Sequence, residues 1–279
     1  MRIGQGIFLL MCAINIAYAQ PLKVMTYNIR LDLSSDGVNI WPNRKEKVFE
    51  LIIRNSPDAF AVQEAVPKQM QDLAKALPNY AFVGVGREDG KDKGEYTAIF
   101  YKKSRLRVVE SSSFWLSETP DVPGSKSWDA AITRMVTWAQ FEDKKSKQPF
   151  LMITTHFDHV GTVARLQSAM AIKSWMKKKT AEKNLPIILC GDFNFQPEEE
   201  PYGELVGQVA PVLIDARPAG EARGTFCGFE KDKMECNIID YIFLSVEWQK
   251  NSFEVLTDND GTYYPSDHLP VIAIVTLAN

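Results

Sequence analysis

Residues 187–194 read Ile187-Ile188-Leu189-Cys190-Gly191-Asp192-Phe193-Asn194, an apolar run that stops on a glycine and then alternates acid and amide. The run has the length and character of a buried strand. In an extended chain alternate residues share a face, so Asp192 and Asn194 point to the same side. An acid and an amide presented together at a strand end can hold and orient one water molecule. The same composition also satisfies an Asx-type turn that closes a strand, so its neighbours must decide.

Working outward, the chain alternates strand-like and helix-like periods early and becomes strand-rich later. Leu22 to Ile29 reads as a strand, and Arg44 to Arg54 as an amphipathic helix with Val48, Leu51 and Ile52 on one side. Asp58 to Gln63 is a short apolar strand; Lys68 to Leu77 is a helix closed by Pro78-Asn79. Strands follow at 81–85, 96–101, 106–116, 132–141 and 150–156, several enriched in β-branched and aromatic residues. A helix from about Thr162 to Ala181 precedes the 187–190 strand. Then come a helix near Pro201–Gln208 and strands at 238–244, 252–256 and 271–277. No internal repeat or low-complexity linker interrupts this order. The loop 117–129, with Pro120, Pro123 and Gly124, is too short for an interdomain hinge and is a candidate active-site lid. The pattern favours two packed sheets with helical covers in one domain.

Several strands end in chemistry. The chain has three histidines, each beside an acid at a strand end: Thr155-His156-Phe157-Asp158-His159 and Ser266-Asp267-His268. Thr26-Tyr27-Asn28-Ile29-Arg30 ends an apolar strand on an amide, and Gln63-Glu64 puts a carboxylate at the tip of another. Asp240 interrupts the apolar stretch Ile238-Ile239-Asp240-Tyr241-Ile242, where a charge is costly unless it is paired. Each signal is weak alone; together they point to a site.

Asn28, Glu64, Asp192 with Asn194, Asp240 and Asp267-His268 stand in the order and local contexts of the endonuclease/exonuclease/phosphatase superfamily. The chain resembles that superfamily, which includes DNase I-like nucleases, abasic-site endonucleases, deadenylases, inositol polyphosphate phosphatases and neutral sphingomyelinases, from Thr26 to Val275. The resemblance implies an α/β (α+β) fold: a four-layered αββα sandwich of two mixed sheets covered by helices, with the site at one rim. It makes Glu64 the main metal ligand, with the amide oxygen of Asn28 and with Asp267 in support. Hard oxygen ligands suit Mg2+ or Mn2+. Asp192 is expected to orient or deprotonate the attacking water and Asn194 to hold its geometry. His268, braced by Asp240, is expected to hydrogen-bond the phosphoryl oxygens. His156 stands where relatives carry a His or a Tyr, to contact phosphate or protonate the leaving oxygen. His159, Arg134, Arg87, Tyr101 and Arg165 are substrate-binding candidates, Arg134 through a bidentate contact to phosphate. Arg30 departs from the pattern, since several nuclease members carry an Asp there; its presence removes an acidic ligand and suits a more anionic, terminal phosphate.

The N-terminus bounds the destination. Arg2, the apolar run Ile7 to Ile14 and Ala17-Tyr18-Ala19 compose a signal peptide over 1–19. The run is too short for a bilayer, which needs ~20 apolar residues. The expectation is an exported protein, periplasmic or secreted, whose single domain spans 20–279. The net charge of −3 and small, scattered basic clusters argue against a surface that grips duplex phosphates. Cys190 reads as a buried small hydrophobe, and Cys227 and Cys236 flank a polar loop where they could pair. The reading is therefore a metal-dependent hydrolase of a phosphate ester, leaning to a small organic phosphate or nucleotide. An exported nuclease on single-stranded nucleic acid is the alternative, and a catalytically lapsed binding protein a remote one. No membrane insertion or protein partner is indicated, and a monomer is expected.

Overall fold

The computed structural model describes residues 20–278 except 182, 233 and 234; the expected signal peptide lies outside the described residues. In chain order the elements are β1 (Leu22–Asn28), α1 (Trp41–Asn55), β2 (Ala59–Ala65), α2 (Pro67–Ala76), β3 (Tyr80–Val83), β4 (Tyr96–Lys102), β5 (Leu106–Trp115) and β6 (Met135–Asp143). They continue as β7 (Pro149–His156), α3 (Thr162–Thr180), β8 (Ile187–Asp192), α4 (Glu200–Val206), β9 (Leu213–Asp215), β10 (Asp240–Ser245), β11 (Trp248–Val255) and β12 (Val271–Leu277).

The strands form two six-stranded sheets, ordered β11-β12-β1-β2-β4-β3 and β5-β6-β7-β8-β10-β9. Each sheet contains one parallel pair, β1 with β2 and β7 with β8, and the remaining pairs are antiparallel. Parallel neighbours need a crossover, which α1 and α3 supply. The two helices therefore cover opposite outer faces, and both parallel pairs end at the same rim.

Strand pleating divides the apolar residues into three layers. Val24, Ala61, Ile99, Met152, Cys190, Ile242 and Ala273 meet between the sheets. Their neighbours Met25, Phe60, Val62 and Ile272 face outward, under Val48 and Ile52 of α1 and Leu73 of α2. On the other side Leu151, Ile153, Leu189 and Phe243 pack beneath Ile172 and Met176 of α3 and Leu205 of α4. Full burial of a side chain of this size contributes roughly 1.5–3 kcal/mol. The result is the four-layered sandwich that the family resemblance implied. Among the described residues no helix is long and apolar enough to cross a membrane.

Differences from the sequence reading are local. α1 starts at Trp41 with Pro42 in its first turn, where a missing N–H costs nothing. β11 begins at Trp248, earlier than its apolar signal, because residues 249–252 are exposed and the strand bulges between Lys250 and Ser252. The short β9 and a 3-10 segment, Ser34–Asn39, carry too little hydrophobic period to be read. Asp240 opens β10 rather than interrupting it, and Arg134 sits just before β6 rather than within it.

Candidate active site at the rim of the two sheets

The parallel pairs and β10 bring their polar ends together. Asn28 ends β1, Glu64 lies near the end of β2, and His156 and Asp192 end β7 and β8 as register partners. β10 runs antiparallel to β8, so its first residue, Asp240, lies directly opposite Asp192. The loop before β12 adds Asp267 and His268, and the Ser266 hydroxyl pins that loop by donating to the Asn28 carbonyl at 2.8 Å. A cleft of about 520 Å³ opens over Glu64, His156, Asp192, Asp267 and His268.

Three charged groups form the floor. The His268 Nδ1 is 2.9 Å from Asp240 Oδ2, and its Nε2 is 3.7 Å from Asp192 Oδ2. Burial alone would lower the His268 pKa, but Asp240 and Asp192 outweigh it and push it up to about 10. Burial, reinforced by the Asp240 charge, raises the Asp192 pKa to about 7 against the opposing pull of His268 and Asn28. A carboxylate near neutrality is suited to take a proton at physiological pH. His156 Nε2 lies 3.3 Å from Asp192 Oδ2; burial and then the nearby Arg134 hold its pKa well below the usual value, so it is neutral.

Glu64, Asp192 and His268 each offer a ligand atom within 4.8 Å of the others. Glu64 adopts a left-handed backbone (φ 64°), uncommon for a residue with a side chain, and Leu31 N–H holds its Oε2 at 3.1 Å. Burial would raise the Glu64 pKa, but His268, Asn28 and Arg30 reverse the sign and keep it ionised. Burial raises that of Asp267, with the negative charge of Glu64 adding to it and His268 opposing. Buried acids crowded in this way fit a divalent cation, which would relieve their mutual repulsion.

Asn28 joins the two sheets at the site. Its amide nitrogen, not its oxygen, faces the acids, donating to Glu64 Oε1 at 3.0 Å and Asp192 Oδ2 at 2.9 Å. The oxygen accepts from Arg30 N–H at 3.0 Å, and the amide thereby positions the two carboxylates. Asn194 holds Asp192 through a backbone N–H to Oδ1 at 3.0 Å, and its side chain reaches the Phe157 carbonyl. The Asn194 N–H to the Asp192 carboxylate is the Asx-type turn that this stretch also allowed.

The outer candidates divide. Arg134 and His159 line the cleft, joined by a 3.3 Å contact from Arg134 Nη2 to His159 Nδ1. Arg87 instead makes two hydrogen bonds to Glu95, and it is Glu95 that reaches the cleft. Arg165 likewise holds Glu199, at 3.2 Å, and the Asp158 carbonyl. Tyr101 lies away from the cleft, its ring against Phe141 in the inter-sheet layer. The proposed lid does not line the cleft either; its Asp129 accepts N–H groups of Val163 and Ala164 at the start of α3. Asp158 anchors a turn by accepting from Ile132, Val160 and Gly161, and although burial opposes it, these N–H groups lower its pKa to about 2. Glu95, Gln196, Glu199 and Asn237 line the cleft without having been read from the sequence. Each follows or precedes an element without periodicity of its own, so no local signal marks it.

A model of the endonuclease/exonuclease/phosphatase family matches residues 25–268. An endonuclease/exonuclease/phosphatase family protein from Bacteroides thetaiotaomicron superposes with a TM-score of 0.87 at 38% identity, over 93% of this chain and 97% of that one. A mannosyl-6-phosphatase of Bacteroides thetaiotaomicron VPI-5482 gives 0.86 at 38% identity, over 91% and 99%. Human Nocturnin is 24% identical over 90% of this chain and 64% of its own length. The chain spans between 41% and 67% of the lengths of four curated relatives it matches.

Proposed function

This chain belongs to the endonuclease/exonuclease/phosphatase family, and from that membership we propose that it is a magnesium- or manganese-dependent phosphoesterase acting on a small organic phosphate. Members of the family are metal-dependent phosphoesterases and nucleases. The observation that carries the reading is the convergence of Glu64, Asp192 and His268, with Asp240 behind His268. Glu64 would hold the divalent ion with Asp267 beside it, and the ion supplies charge stabilisation to the phosphoryl group. Asp192 takes the proton of the attacking water, with Asn194 fixing its carboxylate. His268, kept protonated by Asp240, donates to the phosphoryl oxygens as charge develops in an in-line displacement. His156 remains neutral and bounds the cleft next to Asp192.

A small substrate is supported by the mannosyl-6-phosphatase neighbour and by the acids Glu95 and Glu199 on the cleft, which oppose a polyanionic strand. Export is supported by the pattern of residues 1–19 and by the Cys227–Cys236 disulfide, a bond that persists in oxidising compartments. The test is hydrolysis by the mature protein of sugar phosphates, nucleotides, aryl mono- and diesters, sphingomyelin and single- and double-stranded nucleic acid, with and without Mg2+. Metal-dependent release of phosphate from a small ester, lost in Asp192→Ala and His268→Ala, supports the reading. Preference for single strands would transfer it to a nuclease, and inactivity of wild type throughout would leave a binding protein.

A further inference from the structure

Arg134 is nearly fully buried, at 5% exposure, yet lines the cleft one strand over from His156. Among the described residues, two of its three guanidinium nitrogens, Nε and Nη1, have no hydrogen-bond partner, and the third meets only His159. Its nearest acid, Asp158, lies 3.9 Å away and is committed to the backbone N–H groups of Ile132, Val160 and Gly161. Glu95, also on the cleft, is engaged by Arg87. Buried donors are satisfied in native proteins, and a guanidinium matches the oxygens of a phosphate. An anion in the cleft would complete this arrangement. Burial, and then the nearby Arg87 charge, lower the Arg134 pKa in the absence of that anion.

Arg30, the other guanidinium on the cleft, is differently placed. Asp36 ties down its Nε and Nη2, and its Nη1 faces Asp267 at 3.7 Å. Arg134 therefore has donors to spare where Arg30 has few.

We propose that Arg134 receives the third non-bridging oxygen of a terminal phosphate and thereby makes the cleft selective for phosphomonoesters over diesters. This rests on the phosphoesterase reading above. A monoester offers three non-bridging oxygens and a diester two. His268 and a cation held by Glu64 would serve two of them, and Arg134 provides the donors for the third. A diester places a substituted oxygen there, which accepts weakly and brings no charge, so the buried donors stay unmet.

The experiment measures kcat/KM for 4-nitrophenyl phosphate and bis(4-nitrophenyl) phosphate in wild type, Arg134→Gln and Arg134→Lys. Alongside it, thermal stabilisation is read with inorganic phosphate and with dimethyl phosphate. Arg134→Gln is expected to lower the monoester value about 100-fold while the diester value stays within roughly threefold. Inorganic phosphate should stabilise wild type more than dimethyl phosphate does, and Arg134→Gln should erase that difference. Equal losses for both esters, or equal stabilisation of wild type by both anions, overturns the proposal. If Arg134→Gln does not fold, Arg134→Lys and the wild-type anion comparison decide it. If wild type hydrolyses neither aryl ester, the anion comparison alone judges Arg134, and the wider substrate panel judges the phosphoesterase reading.

Discussion

Asp192 and Asp240 are direct cross-strand partners on β8 and β10, a like-charge pair that leans on one imidazole, with His268 2.9 Å from Asp240 and 3.7 Å from Asp192. Two facing carboxylates without a cation repel. The histidine makes the pair tolerable and is itself kept charged by it.

Asp240→Asn should lower kcat about 100-fold while leaving the fold intact, because the ring loses its charged brace. The pH profile separates this from a packing defect. The alkaline limb of the variant should move toward neutrality, since the group that most strongly raises the His268 pKa is gone. An unchanged profile with normal kcat would remove Asp240 from the mechanism.

The same cluster gives the metal-free protein a pH-dependent stability. His268 has a folded pKa, about 10, above its ordinary 6.5, so its contribution is full below pH 6.5 and lost as pH rises through 10. Asp192 is also raised, from 3.8 to about 7, and its contribution is lost over that lower range. Both signs agree. In chelator, the melting temperature should fall between pH 6.5 and 10, and His268→Asn should flatten that fall.

Glu64→Gln tests the cation. Saturating Mg2+ should raise the wild-type melting temperature by roughly 5–10 °C, the scale for a ligand near 100 times its Kd. The variant should show almost none of this rise and lose activity by at least about 100-fold. A variant stabilised as well as wild type would place the ion elsewhere.

Gly191 has φ 148°, and a Cβ there would lie 2.1 Å from the Thr155 carbonyl oxygen on the neighbouring strand. Gly191→Ala should destabilise the fold by about 3 kcal/mol in urea unfolding, through backbone strain and a forced shift of β7 against β8. The same shift displaces His156 from Asp192, so activity should fall in the folded fraction as well. A variant within 1 kcal/mol of wild type, on the order of an ordinary surface change, would contradict the close approach.

Strand-end chemistry was legible because alternation and burial write it into short windows. The Ile187–Asn194 stretch, Asn28, Glu64 and the Asp267-His268 pair each carry their own local signal. The two-sheet architecture followed from apolar periods that are strong in the centre of each sheet. What stayed hidden depends on distant partners. Whether Arg87 or Arg165 touches substrate is decided by Glu95 and Glu199, eight and thirty-four residues away. Tyr101 looked like a rim residue because nothing in its own strand says which face meets Phe141. The orientation of the Asn28 amide, too, is set by Arg30 and Asp192 rather than by its neighbours in β1.

Asn28 sits in one sheet and binds Asp192 in the other, and Gln63 reaches Thr154 across the same gap at 3.1 Å. Glu64 and Asp192 are therefore mounted on separate plates, like the jaws of a caliper. Their spacing is set by the thickness and registry of the filling between the plates, far from the reacting atoms. Substitutions such as Ala61→Val or Met152→Leu, which touch no substrate, become adjustments of catalytic gauge. On the phosphoesterase reading, turnover would depend on the sandwich filling as much as on the rim.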